Sequence, residues 1–198
     1  AEVQGPLLCC LSATLVKASY RESDTSMRRN VRHRPAGTTA VLFHKKVREL
    51  GRRLEDLARR IPEGTPPAQV LEGDAREIDL AAPADGVITS PPYPGVYDYV
   101  PLQALRVAWL GLDDRAGRRQ EIASRRDFRA DRREAARTWR RQTAAWMQSC
   151  AQQVAEGGRI AVVIGDGLVG EVHIDALGAT LDAGRTAGLR HLAHASGA

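Results

Sequence analysis

Ser90, Pro91, Pro92 and Tyr93 bring a hydroxyl, two rigid residues and an aromatic ring into four consecutive positions. Two successive prolines fix two φ angles and remove two N–H donors, so the backbone is stiff and its carbonyls are free to accept. Pro91 also holds Ser90 extended. The loop therefore offers a hydroxyl and a carbonyl at a set separation, then a ring that can lie flat on a planar ligand. Two acceptors and a stacking face match the exocyclic amine of a nucleobase. Taken alone, the same four residues equally describe a turn that ends a strand and begins a helix.

The element that must position this loop is the run Gly86-Val87-Ile88-Thr89, short, β-branched and bounded by Asp85 and the proline pair, which reads as a buried strand. Upstream, residues 70–75 (Val-Leu-Glu-Gly-Asp-Ala) read as a second strand ending in a Gly-Asp turn, where Asp74 also suits an Asx turn or a helix cap. Downstream, Glu156-Gly157-Gly158-Arg159 leads into the apolar run 160–164, a third strand. Next, Gly165-Asp166-Gly167-Leu168-Val169-Gly170 matches G-x-G-x-x-G literally. A dinucleotide fingerprint needs a following helix, a second strand and an acid about twenty positions on. That window falls on Leu189 and Arg190, so the match is read as fortuitous. Asp166 and its glycines still follow the end of a strand and can shape one wall of a pocket.

These residues resemble the S-adenosylmethionine-dependent DNA amino-methyltransferases, whose catalytic pattern is [S/D/N]-P-P-[Y/F/W]. The form T-S-P-P-Y is closer to the cytosine-N4 branch than to the adenine-N6 branch. The resemblance implies that Ser90 and the Pro91 carbonyl accept from the amine, drawing its lone pair out of conjugation, with Pro92 keeping the loop rigid. Tyr93 would stack on a base flipped out of its helix, and methyl transfer would be an in-line displacement from the sulfonium. It further implies that Asp74 and Ala75 of the G-D-A turn, Thr89 and Asp166 contact S-adenosylmethionine. Tyr97-Asp98-Tyr99, and 102–112 with Trp109, resemble the segment that follows S-P-P-Y in a subset of the family. The resemblance covers the chain from about Leu7 onward, with S-P-P-Y its chemically specific part. The family's glycine-rich cofactor loop is not found before Asp74. The expectation is therefore that it lies upstream of Ala1 and that the chain is the carboxyl-terminal part of a longer methyltransferase, with a permuted arrangement in which Gly165 to Gly170 serve as the cofactor loop as the alternative. RNA amino-methylation, of the guanine-N2 kind in tRNA, is one alternative. A non-catalytic nucleic-acid-binding fragment is another.

A net charge of +5 and a pI near 9.5 favour an acidic partner such as double-stranded DNA. Between residues 115 and 141 eleven arginines face four acids, a local excess of seven that exceeds the charge of the whole chain. Arg125, Arg126, Arg129, Arg132 and Arg133 are the candidates for tracking phosphates, with Phe128 and Trp139 interleaved to pack or stack. The competing reading is a solvated face, because the chain has 26 arginines to 3 lysines, a bias of the kind that genome composition produces. Four arginines between 28 and 34 add a smaller basic edge. Cys9, Cys10 and Cys150 are too few and too badly spaced for a disulfide framework or a zinc site, so reduced thiols in a cytoplasmic protein are expected. His173, His191 and His194 lack metal-ligand spacing and read as surface residues. No apolar run approaches the length of a membrane span.

The remaining elements form the frame. Residues 6–18 are apolar almost all round, which predicts a buried helix, and the preceding Glu2 argues against a signal peptide. From a cap at Thr38 or Thr39, the residues Phe43, Val47, Leu50, Leu54, Leu57 and Ile61 recur at spacings of four and three, which predicts a helix with a core stripe. Three prolines and a glycine in 62–67 end it. Residues 174–187 read as a helix and 189–195 as an edge strand. The expectation is one partial methyltransferase domain over 1–198, with a helical part at 1–62 and a sheet-bearing part at 68–198 that carries an arginine-rich insertion at 115–141. Its fold class is α/β, Rossmann-like, with a mostly parallel sheet flanked by helices and the first strands missing at the amino terminus.

Overall fold

A computed structural model describes residues 3–23, 26–31, 33–124, 128 and 134–197. It divides into two compact units, Ala1–Val70 with Val100–Arg118, and Leu71–Tyr99 with Arg119–Ala198.

The first unit is built on helix α1 (Gln4–Ala18) and helix α2 (Thr38–Arg60), packed against each other. In α1 only Cys10, Thr14, Leu15 and Val16 are buried, while Leu7 and Leu8 stay exposed. The expectation of a wholly buried first helix is thus corrected for its first half. The polar link after α1 folds back on itself through a bridge between Arg21 and Arg29. In α2 the cap is Gly37 at φ 83°, not a threonine, and Thr38 Oγ1 donates to the Pro35 carbonyl at 2.7 Å. The predicted stripe is there, yet no residue of α2 is buried, and Leu57 is 52 % exposed. The expectation of a core stripe is thus corrected over the whole helix; at about 34 Å against about 22 Å, α2 also outruns α1, which leaves one end uncovered.

The second unit holds a two-stranded parallel sheet. Strand β1 (Ala84–Thr89) pairs with β2 (Val154–Val162), with Val87 opposite Ile160 and Thr89 opposite Val162. Between the two strands the chain passes through α3 (Tyr99–Leu110), α4 (Arg115–Gln120) and α5 (Ala135–Gln153). A bulge lies between Ala84 and Gly86, opposite Gly158, where a Cβ would stand 2.9 Å from the Asp85 carbonyl oxygen. The Gly157-Gly158 pair therefore lets β2 begin earlier than its apolar run suggests.

After β2 come the antiparallel strands β3 (Gly167–Val169) and β4 (Val172–Ile174), then helix α6 (Ala176–Thr186). Asp175 caps α6 by accepting from the Gly178 N–H at 2.7 Å, an N-terminal bond of the usual kind. The molecule is thus mixed α/β, with a small parallel sheet and a separate hairpin.

The core sits where α5 packs on α6 and on one face of the sheet. Trp139, Phe128, Ile174 and Ala176 form one cluster, and Trp146, Met147, Cys150 and Ala183 another that reaches Val87, Ile160 and Val162. Full burial of a side chain such as Ile174 stabilises by about 2–3 kcal/mol. The opposite face is open, with Ile88 88 % exposed.

Two predicted strands are absent. Residues 70–75 make no ladder, and the segment after them hangs on α5, with the Ile78 N–H donating to Ser149 Oγ at 2.8 Å and the Leu80 N–H to Gln153 Oε1 at 2.9 Å. Residues 189–195 make none either, since the Leu189 N–H goes back to the Gly184 carbonyl to close α6. The helix predicted over 174–187 begins two residues later, because Ile174 belongs to β4.

Candidate active site

The predicted loop leaves the carboxyl end of β1. Thr89, the last residue of the strand, is half-buried and its carbonyl accepts from the Val163 N–H at 2.9 Å, fixing the point of departure. Ser90 is exposed, Pro91 buried, and Pro92 and Tyr93 half-buried. Pro94 is fully buried. The prolines at either end thus anchor the loop while Ser90 stays exposed.

The floor of the loop is the exit of β2. A Cβ at Gly165 would lie 3.3 Å from Cδ2 and Cε2 of Tyr93, so the ring approaches the backbone as closely as glycine permits. A Cβ at Gly167 would overlap the Pro94 carbonyl oxygen. Gly165 to Gly170 therefore neither turn from strand into helix nor cradle a dinucleotide. They begin a hairpin whose glycines receive Tyr93 and Pro94, and Gly170, at φ 64°, makes its turn.

A second strap lies on the other side. The Gly95 N–H donates to the Ala123 carbonyl at 3.3 Å and Ser124 Oγ bonds to Asp98 Oδ1 at 3.2 Å. Ala123 is fully buried at φ 61°, a left-handed conformation that costs a non-glycine residue about 1 kcal/mol, and its N–H is held by Gln142 Oε1 at 3.0 Å. Nothing in the spacing of Ile122, Ala123 and Ser124 signals this role; it depends on α5 bringing Gln142 beneath them.

Asp74 is an Asx turn. Its Oδ1 accepts from the Arg76 N–H at 2.9 Å, and the Arg76 guanidinium forks onto both oxygens. That hydrogen-bonded guanidinium holds the Asp74 carboxyl below the usual carboxylate range. Arg76 also reaches the Gln120 carbonyl at 3.2 Å. Ala75 beside it is exposed. Oδ2 of Asp74 carries the guanidinium bond and, as a carboxylate oxygen, can accept one more donor. Asp166 ties its loop to α6, with Oδ1 accepting from the Ala176 N–H at 2.9 Å and Oδ2 3.1 Å from His173 Nε2. His173 is a surface residue with a partner.

Tyr97 follows on the same loop and Tyr99 opens α3, their ring centroids 5.8 Å apart and their planes tilted by 60°. Burial pushes the Tyr99 phenol up from its ordinary value, and Tyr97, Tyr93 and Glu121 add repulsion toward its anion.

Arg125, Arg126, Arg129, Arg132 and Arg133 lie outside the described residues. Phe128 and Trp139 pack in the core and do not stack on a ligand. Several described arginines of the segment face carboxylates, Arg115 with Asp113, Arg118 with Asp114 and Arg137 with Glu134. Exposed pairs of this kind contribute about 0–1 kcal/mol each.

Among the described residues no cluster of His, Cys, Asp or Glu could hold a metal, and no helix is long and apolar enough to cross a membrane. No family model, curated protein or solved structure matches the chain.

Proposed function

We propose that the chain carries the catalytic loop of a methyltransferase that moves a methyl group from S-adenosylmethionine to an exocyclic amine of DNA, cytosine N4. The observation that carries the reading is the exposed Ser90 on a loop anchored by buried Pro91 and Pro94, at the carboxyl end of a parallel strand. Open α/β sheets bind ligands outside the carboxyl ends of their strands, and the finer reading of this sheet is Rossmann-like.

Ser90 Oγ and the Pro91 carbonyl accept the two N–H bonds of the amine. Both bonds localise the nitrogen lone pair and raise its nucleophilicity. Tyr93, braced from below by Gly165, takes the face of the base and fixes its plane. Positioning of this kind supplies a large part of the acceleration when the attacking atom is held in line. S-adenosylmethionine, when bound, supplies the sulfonium-borne methyl group. Asp74, through the remaining acceptor site of Oδ2, Ala75 and Thr89 are the residues assigned to hold it. Asp166 keeps the wall under Tyr93 in place by its bonds to α6.

Transfer of labelled methyl groups from S-adenosylmethionine to cytosine-containing duplex DNA tests the reading. Ser90→Ala removes one acceptor aimed at the reacting nitrogen and lowers the rate by about 10²–10³, the loss expected for one preorganised hydrogen-bond partner. Its melting temperature stays unchanged because Ser90 is exposed. Equal transfer by both proteins rejects the role of Ser90. DNA binding without transfer by either protein favours the non-catalytic reading.

A further inference from the structure

We propose that Tyr99, backed by Tyr97, is a second stacking site, for the nucleobase next to the one held by Tyr93. The inference rests on the reading of Ser90 to Tyr93 as the base-binding loop and extends it to how the target strand is held: the base next to the flipped one is drawn out of its stack as well.

Tyr99 is 41 % exposed at the start of α3, directly after a loop anchored on both sides. Tyr97 meets it ring to ring in the tilted geometry that aromatic pairs favour, which holds Tyr99 in place while leaving ring surface uncovered. The loop that carries Tyr97 and leads into α3 at Tyr99 is pinned by Gly95 on Ala123 and by Asp98 on Ser124. Such preorganisation removes part of the ordering cost that a flexible aromatic would incur on binding.

The Val96 N–H donates to the Tyr93 carbonyl at 3.3 Å, a tight turn that brings the chain carrying Tyr97 and Tyr99 back past the residue that leaves β1. One ring serves the reacting base. A second exposed ring a few residues on matches the way single strands are held, with successive bases on successive aromatic faces and little dependence on base identity.

Three single-stranded oligonucleotides, each with one cytosine context and one 2-aminopurine, test the site. The probe stands at the target position, one nucleotide before it, or one nucleotide after it. Wild-type protein is expected to quench the probe at one of the two neighbouring positions. Tyr99→Leu loses that quenching and binds roughly five- to tenfold more weakly, the lower part of the range for one lost stack. It keeps the signal at the target position, whereas Tyr93→Leu loses the target signal alone. Tyr99→Phe keeps the ring and retains the neighbour quenching, which separates stacking from damage to the start of α3. Quenching that survives Tyr99→Leu, or wild-type protein that quenches neither neighbour, overturns the site. Neighbour quenching without labelled transfer overturns the methyltransferase reading and leaves this site standing.

Discussion

The loops that leave β1 and β2 start side by side from parallel strands and differ in almost every physical respect. The loop after β1 is stiff and rich in proline and aromatic rings, with Ser90 exposed. The loop after β2 has glycine at 165 and 167, and those glycines are occupied by the first loop, Gly165 by the Tyr93 ring and Gly167 by the Pro94 carbonyl. One loop carries functional groups, and the other supplies the closeness that positions them. A glycine-rich segment beside a candidate site is therefore not by itself a ligand cradle. The space a glycine leaves open can be filled by the protein.

Substitution at Gly167 is the strongest way to break this pairing. Gly167→Ala places a methyl group on the Pro94 carbonyl and displaces the loop. Overpacking of this kind destabilises by about 1–3 kcal/mol, and a shift of about 1 Å at the reacting groups costs about a hundredfold in rate. Thermal melting and labelled transfer read the two effects, and unchanged values for both would separate the two loops functionally. Gly165→Ala is the graded version. Its Cβ at 3.3 Å asks the Tyr93 ring to yield only a few tenths of an ångström, so transfer should fall about tenfold with under about 1 kcal/mol of stability lost.

The smallest effect on stability lies at Asp74. Its folded pKa is depressed by Arg76, so its contribution to stability is complete above the ordinary carboxylate pKa and disappears as pH falls through the depressed folded value. Asp74→Asn should melt lower at pH 7 by at most about 1 kcal/mol, with the gap closing in acid. A gap that is constant with pH would show that Asp74 acts through its turn geometry and not through its charge.

Much of the frame was legible. Short β-branched runs bounded by turn residues predicted β1 and the apolar part of β2, and spacings of three and four predicted α2, because these signals depend on neighbours in the chain. Misread elements depended on contacts between distant residues. Residues 70–75 look like a strand, but the pairing is not made, and the N–H groups just beyond them are taken by Ser149 and Gln153 of α5. The stripe on α2 looks like core, but no residue of α2 is buried, because burial needs covering surfaces that periodicity does not supply. At the site, Ser90 to Tyr93 stood out by residue type, whereas Ala123, Ser124 and Gln142 carried no sign of their task. Backbone strain and a glutamine under a distant loop have no local pattern.

By itself the sequence determined the stiffness and polarity of the Ser90–Tyr93 loop, the strand that delivers it and the amphipathic helix α2. Dihedral restriction and side-chain periodicity are properties of neighbouring residues. Only the tertiary structure decided that Gly165 and Gly167 face Tyr93 and Pro94, that Asp166 joins β2 to α6, and that Phe128 and Trp139 pack in the core. Those outcomes depend on which surfaces meet when the sheet and α5 close on one another, and close packing admits few arrangements once they do.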